Sequence, residues 1–221
     1  MPAPTLAPPR PAAPAPAPPA GGDAFAGRYV TPEEYLRFEE HAETKHEWID
    51  GEVREMAGGS KRHATLNRRI NARLDLAFEA EPVVGFTGDI KIRILDGPYY
   101  YCDGCFAVAP GEFEPPVRPD GEETVLLDPV LIVEVLSKST ARIDRGEKLT
   151  AYRTIPSLRD HLLFDQRVPI VEHHFRTAGG AWEKATHRGA GAELRFAAGG
   201  APVTLGPIYA VLDKLAGPAA G

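Results

Sequence analysis

Two acidic residues stand where acids are expensive. Glu134 follows Leu131-Ile132-Val133 and precedes Val135-Leu136, so one carboxylate lies inside a strand apolar on both faces, the pattern of a central, buried strand. A carboxylate buried without a partner would rather take up a proton, unless a cation or several donors compensate it. Asp103 poses the same problem between Tyr99-Tyr100-Tyr101 and Phe106-Ala107-Val108. A buried ion pair with an arginine would answer for Glu134. The other answer is that both acids, on neighbouring strands, chelate one ion, and oxygen ligands of this kind suit Mg²⁺ or Mn²⁺ better than zinc.

Other reactive types are placed less tellingly. Cys102 and Cys105 form a C-x-x-C, but in one continuous strand positions three apart face opposite sides, which separates the sulfurs. A zinc site would need a second pair of ligands. His173 and His174 are adjacent and fail the same test, while His41 and His46 lack the HExxH spacing of zinc proteases. Ser137, Ser139 and Thr140 read as residues that orient the loop after Glu134, since no histidine and acid pair is placed to activate them.

The elements that must position these groups are legible in outline. Thr31-Pro32-Glu33-Glu34 combines a cap, a proline at the first helical position and a returning glutamate. Asp50-Gly51 joins two strands as a hairpin. Leu66, Ile70, Leu74 and Phe78 recur at spacing four, one face of a long helix whose other faces carry Lys61, Arg62, Arg68, Arg69 and Arg73. That basic surface is either a solvated face or a contact for a nucleic-acid backbone. Strands are expected over 83–86, 91–95, 99–108, 130–136, 161–165 and 170–175, a helix from a cap at Asp144 to about Thr154, and a short closing helix over 209–215. The 177–200 stretch is weakly patterned. Helices alternating with runs of strands imply an α/β fold of the mixed α+β kind, a mixed β-sheet flanked by helices.

Composition sets bounds. The 221 residues are 43% apolar and 25% charged, ordinary for one globular domain. Residues 1–28 are rich in Pro and Ala and read as a disordered tail, leaving 29–216 as the folded domain. No run approaches the roughly 18 apolar residues of a membrane span, and a basic start with an apolar signal core is missing. The expectation is a cytoplasmic protein with reduced thiols. A net charge of −6 does not announce a nucleic-acid binder, although an enzyme needs only a local basic surface.

Taken in order, Thr31-Pro32-Glu33-Glu34-Tyr35-Leu36, Glu47-Trp48-Ile49-Asp50-Gly51-Glu52, Gly88-Asp89-Ile90-Lys91, Tyr100-Tyr101-Cys102-Asp103, Val133-Glu134-Val135-Leu136-Ser137 and Asp144-Arg145-Gly146-Glu147-Lys148 with Tyr152-Arg153 resemble the Uma-two family of restriction endonuclease-like proteins, within the PD-(D/E)XK nuclease superfamily. The resemblance implies a restriction-endonuclease-like core, a Mg²⁺ or Mn²⁺ cofactor and hydrolysis of phosphodiesters, with DNA the expected partner and a homodimer expected by analogy. By the same resemblance Asp103, Glu134 and the Val135 carbonyl would hold the metal. Lys148 would take the lysine role that Leu136 cannot fill, and Glu47 would be an accessory ligand. Tyr152, Arg62 and Arg69 are the expected substrate contacts. Cys102 stands where proline usually precedes the aspartate, and Lys138 where proline usually follows Ser137. A nuclease fold retained as a binding or regulatory module without catalysis is the rival expectation.

Overall fold

The computed structural model describes residue 25 and residues 27–56 and 58–215, so most of the expected Pro/Ala tail lies outside the described residues. Packing reaches slightly upstream of Tyr29: the Phe25 ring meets Phe38 edge-on at 5.0 Å. Helix α1 (Pro32–Glu39) opens with the expected capping box, in which the Thr31 side chain accepts from Glu34 N and Glu34 accepts from Thr31 N at 2.9 Å. Strands β1 (His46–Ile49) and β2 (Glu52–Glu55) form the hairpin. Its turn holds Asp50 at φ 50° and Gly51 at φ 90°, which is why an Asp-Gly pair is needed there.

Helix α2 (Lys61–Phe78) starts at the Ser60 cap and buries Leu66, Ile70, Leu74 and Phe78. Then come β3 (Val83–Thr87), β4 (Lys91–Arg93), β5 (Tyr99–Tyr101), β6 (Gly104–Val108), β7 (Val125–Leu126) and β8 (Pro129–Leu136). A helical crossover follows, made of α3 (Ala141–Ile143), a π turn (Asp144–Lys148) and α4 (Leu149–Tyr152). The chain closes with β9 (Asp160–Asp165), β10 (Ile170–Arg176), β11 (Trp182–Arg188), β12 (Glu193–Leu194), β13 (Val203–Thr204), α5 (Leu205–Tyr209) and a 3₁₀ turn (Ala210–Leu215).

The main sheet runs β11-β10-β9-β8-β6-β3, and a smaller one runs β2-β1-β5-β4-β7. The β8–β9 pair is parallel and its neighbours antiparallel, so the main sheet is mixed. A parallel pair requires a crossover, and α3 to α4 supplies it. Strand alternation on β8 divides the core. Leu131, Val133 and Val135 pack with α2 and α5 on one face. Ile132 on the other face packs with Tyr152 of the crossover and with Ile92 and Tyr100 of the small sheet. Glu134 shares the parity of Ile132 and points into that second layer.

Three expectations are corrected. The expected strand 99–108 is two strands in different sheets, β5 and β6, with Cys102 and Asp103 at the break. Asp103-Gly104 interrupts the strand-forming run, but a local interruption does not reveal a change of sheet. The helix expected to be capped by Asp144 begins at Ala141, which puts Asp144 inside it and buried. The weakly patterned stretch contains β11, whose partly exposed edge position carries Glu183, Lys184 and Arg188 and so has no apolar period. Among the described residues, no helix is long and apolar enough to cross a membrane.

Candidate active site

The break between β5 and β6 is what presents Asp103. The following Gly104 lies against α2, where a Cβ would come within 2.1 Å of Asn71 Oδ1. Asp103 N donates to Val133 O at 3.0 Å, and its Oδ2 accepts from Val135 N at 2.7 Å. Its other oxygen meets His63 Nε2 at 2.8 Å. This hydrogen bond raises the pKa of His63 against the opposing effect of burial, helped by the Val135 carbonyl beside the ring. His63 is not among the residues expected at the site. It lies on the inner side of α2 with Asn67 and Asn71, three polar residues in register with Leu66, Ile70 and Leu74, and such an interruption of an apolar face was the available signal.

Lys148 reaches the opposite side of the same centre. Its Nζ donates to Tyr101 O at 2.7 Å and lies 2.8 Å from Glu47 Oε1 and 3.4 Å from Glu134 Oε1. Burial disfavours its charge, but the carboxylates of Glu134 and Glu47 outweigh that and hold the ammonium above its usual pKa. Tyr152, fully buried, donates to Glu134 Oε1 at 3.0 Å. Burial pushes Glu134 well above the ordinary carboxylate range, opposed by Lys148 and reinforced by Asp144, Asp103 and Glu47. The π turn aligns these helical groups. Over eight residues a regular α-helix drifts by roughly 80°, whereas a wider turn between Asp144 and Lys148 offsets that drift, keeping Asp144, Lys148 and Tyr152 buried along one stripe.

A cavity of about 890 Å³ opens onto this centre, lined by Asp103, Glu134, Asp144 and Lys148, with His63, Lys45 and Lys138 among its walls. Three expected site residues, Asp103, Glu134 and Lys148, therefore share one cavity. Glu47 stands behind Lys148, also accepting from Tyr101 N at 3.1 Å, and Tyr152 stands behind Glu134. The two expected arginine contacts are not brought here. Arg62 donates to Gln166 O at 2.8 Å and Arg167 O at 3.0 Å, tying α2 to the β9–β10 turn. Arg69 borders a separate recess with Arg68 and Val211.

The reasoning that separated the two sulfurs is also corrected. With the strand broken at Asp103 the alternation lapses, and Cys102 and Cys105 lie in one apolar cluster. Both are free and buried. The neighbouring Cys105 sulfur, then burial, push the Cys102 thiol well up, which makes Cys102 inert. His173 is buried against Asp160 at 2.7 Å, and His174 against Arg153 at 2.9 Å.

The donor set suits a hard divalent cation. Glu47, Asp103, Glu134 and Asp144 converge around Lys148 and His63, so carboxylates outnumber the basic groups at this centre. No group of three His, Cys, Asp or Glu among the described residues is gathered closely enough to hold an ion unaided, so main-chain oxygens and water must complete any shell, as is usual for Mg²⁺.

Comparison with known proteins agrees with this fold. The family model described as "Putative restriction endonuclease", Uma2, matches residues 32–199. An uncharacterized protein of Synechocystis sp. is 33% identical over 169 residues, covering 76% of this chain and 93% of that protein. Another from the same organism is 31% identical over 154 residues, covering 69% and 77%. The crystal structure of a putative nuclease belonging to DUF820 from Anabaena variabilis superposes with a TM-score of 0.66 at 14% identity, covering 83% of this chain and 99% of that one. The likeness in fold and the match across most of the chain lead to one conclusion: this protein belongs to the Uma2 family of restriction-endonuclease-like proteins.

Proposed function

We propose that this protein is a divalent-metal-dependent endonuclease that hydrolyses phosphodiester bonds in DNA. The observation that carries the reading is the convergence of Asp103, Glu134 and Lys148 on one cavity, supported by membership of a family described as restriction endonucleases. Asp103 and Glu134, with the Val135 carbonyl, would hold Mg²⁺ or Mn²⁺. When bound, such an ion supplies Lewis-acid polarisation of a phosphate oxygen and lowers the pKa of a coordinated water.

The protein's own groups do the rest. Lys148, kept charged by Glu47 and Glu134 and held by the Tyr101 carbonyl, presents a fixed positive charge to the negative charge that develops at phosphorus. Tyr152 fixes the carboxylate of Glu134 by its hydroxyl. The Val135 amide and His63 hold the two oxygens of Asp103. Lys45 and Lys138 in the cavity wall offer phosphate contacts that carry no base information. Cleavage of both strands would call on two copies of the chain, and the expected product carries a 5′-phosphate.

The test is cleavage of supercoiled and linear DNA with Mg²⁺ or Mn²⁺ by the native protein, Asp103→Ala and Lys148→Ala, each checked for a folded state by circular dichroism. Metal-dependent cutting lost in both variants supports the proposal. A native protein that cuts neither DNA nor RNA under these conditions overturns it in favour of a nuclease fold used only for binding.

A further inference from the structure

Asp144 has no role in the scheme above, yet it is only 3% exposed and borders the same cavity as Asp103, Glu134 and Lys148. It does not cap the start of the helix, because that position belongs to Thr140, four residues earlier. Thr140 gives it a side-chain hydrogen bond, and Lys148 is the cation whose charge reaches it. The cations within reach are engaged elsewhere. Lys148 is bound to Glu47, Glu134 and the Tyr101 carbonyl, and Arg145 turns outward to Glu172 at 2.7 Å.

A buried carboxylate with no cation of its own is costly, and here it stands among three others. Burial, with the charges of Asp103 and Glu47 adding to it against Lys148, pushes its carboxyl upward. The remaining acids are already partly spent: Asp103 gives Oδ2 to the Val135 amide, and Glu134 gives Oε1 to Tyr152 and Lys148. A small hard cation taking about six oxygens would need another donor.

We propose that Asp144 is a further carboxylate of the cation site, holding the metal through a bound water alongside Asp103 and Glu134, since the three acids are not gathered closely enough to grip an ion by themselves. This rests on the metal-dependent reading of the same cavity. The π turn is then the device that aims Asp144 and Lys148 into one cavity, with Lys148 placed for the phosphate and Asp144 for the ion.

The experiment is a Mn²⁺ titration of the full chain without nucleic acid, following free Mn²⁺ by electron paramagnetic resonance, in the native protein, Asp103→Asn, Asp144→Asn and Asp144→Glu. Thermal unfolding of each is recorded with and without metal. The expected result is at least a tenfold weaker Kd for Asp144→Asn, part of it recovered in Asp144→Glu. Without metal, Asp144→Asn should be as stable as the native protein or more so, because an uncompensated charge has been removed. An acid that merely braced the helix would instead lower the metal-free Tm and leave Kd alone, which overturns the proposal. If Asp103→Asn loses Mn²⁺ while Asp144→Asn binds as the native protein does, this inference fails and the metal-dependent reading stands. A native protein that binds no Mn²⁺ overturns both.

Discussion

Lys148 and Glu47 meet at 2.8 Å, joining the crossover helix of the main sheet to the hairpin strand of the smaller one. Both are almost wholly buried, so the pair also fixes how the two layers sit against each other. Replacing Lys148 by Met should strand Glu47 and Glu134 in a low-dielectric interior. Losing one partner of a buried ion pair costs about 3–5 kcal/mol. Urea unfolding at neutral pH should show a loss of that order, reduced when Glu47→Gln is added. If the single and double variants are equally unstable, the ion pair is not what the layers depend on.

Tyr152 donates to the same oxygen of Glu134 that Lys148 approaches. Its ring packs edge-on against Tyr100 and His161, so Tyr152→Phe keeps the packing and removes one hydrogen bond. The expected destabilisation is about 1–3 kcal/mol. Cleavage should fall in kcat more than in KM, since the hydroxyl steadies a group at the centre and touches no substrate.

His63 gains a carboxylate partner on folding, and its pKa is raised for that reason. A raised folded value means that the contribution to stability is fully present below the unfolded value near 6.5 and is lost as pH rises through the higher folded one. His63→Gln should therefore lower Tm most at pH 6, and the gap to the native protein should narrow by pH 9. A gap that stays constant across this range would show that the His63 contact with Asp103 is not a charged one.

His161 and His174 behave in the opposite sense. Burial drives His161 well down and takes His174 to about 4. Between the unfolded value near 6.5 and about 4 the unfolded chain binds protons that the native state refuses, so stability falls as pH falls through that window. The measurement is the urea midpoint from pH 7 to pH 4, in the native protein and in His161→Phe, which should lose less.

Gly104→Ala tests how Asp103 is aimed. The added methyl would collide with Asn71 Oδ1 at 2.1 Å, on the helix whose Asn71 amide also donates to Asp103 O at 3.2 Å. Cleavage should drop at least tenfold, with some loss of stability. Shortening Asn71 to Ala in the same chain should restore part of the stability. Absence of any recovery would locate the strain elsewhere.

The sequence by itself determined what is local or periodic. The Thr31 capping box, the Asp50-Gly51 turn and the four-residue spacing of Leu66 to Phe78 each depend on neighbours within one or two turns, and each is present in the structure. The apolar run around Glu134 also announced a central strand, because burial on both faces leaves no polar period, and the order of the main sheet agrees. Only the tertiary structure decided the partners. Asp103-Gly104 marks an interruption within 99–108 but not that the chain passes there from one sheet to the other, yet that passage presents Asp103 and brings Cys102 and Cys105 into one cluster. Asp144 and His63 border the same cavity because a π turn and an inward helix face bring them there. Arg62, basic and exposed in pattern, is spent on two carbonyls of a distant turn. A side chain's charge is written in the sequence, but the charge that compensates it is chosen by which elements pack together, and that contact is made across tens of residues.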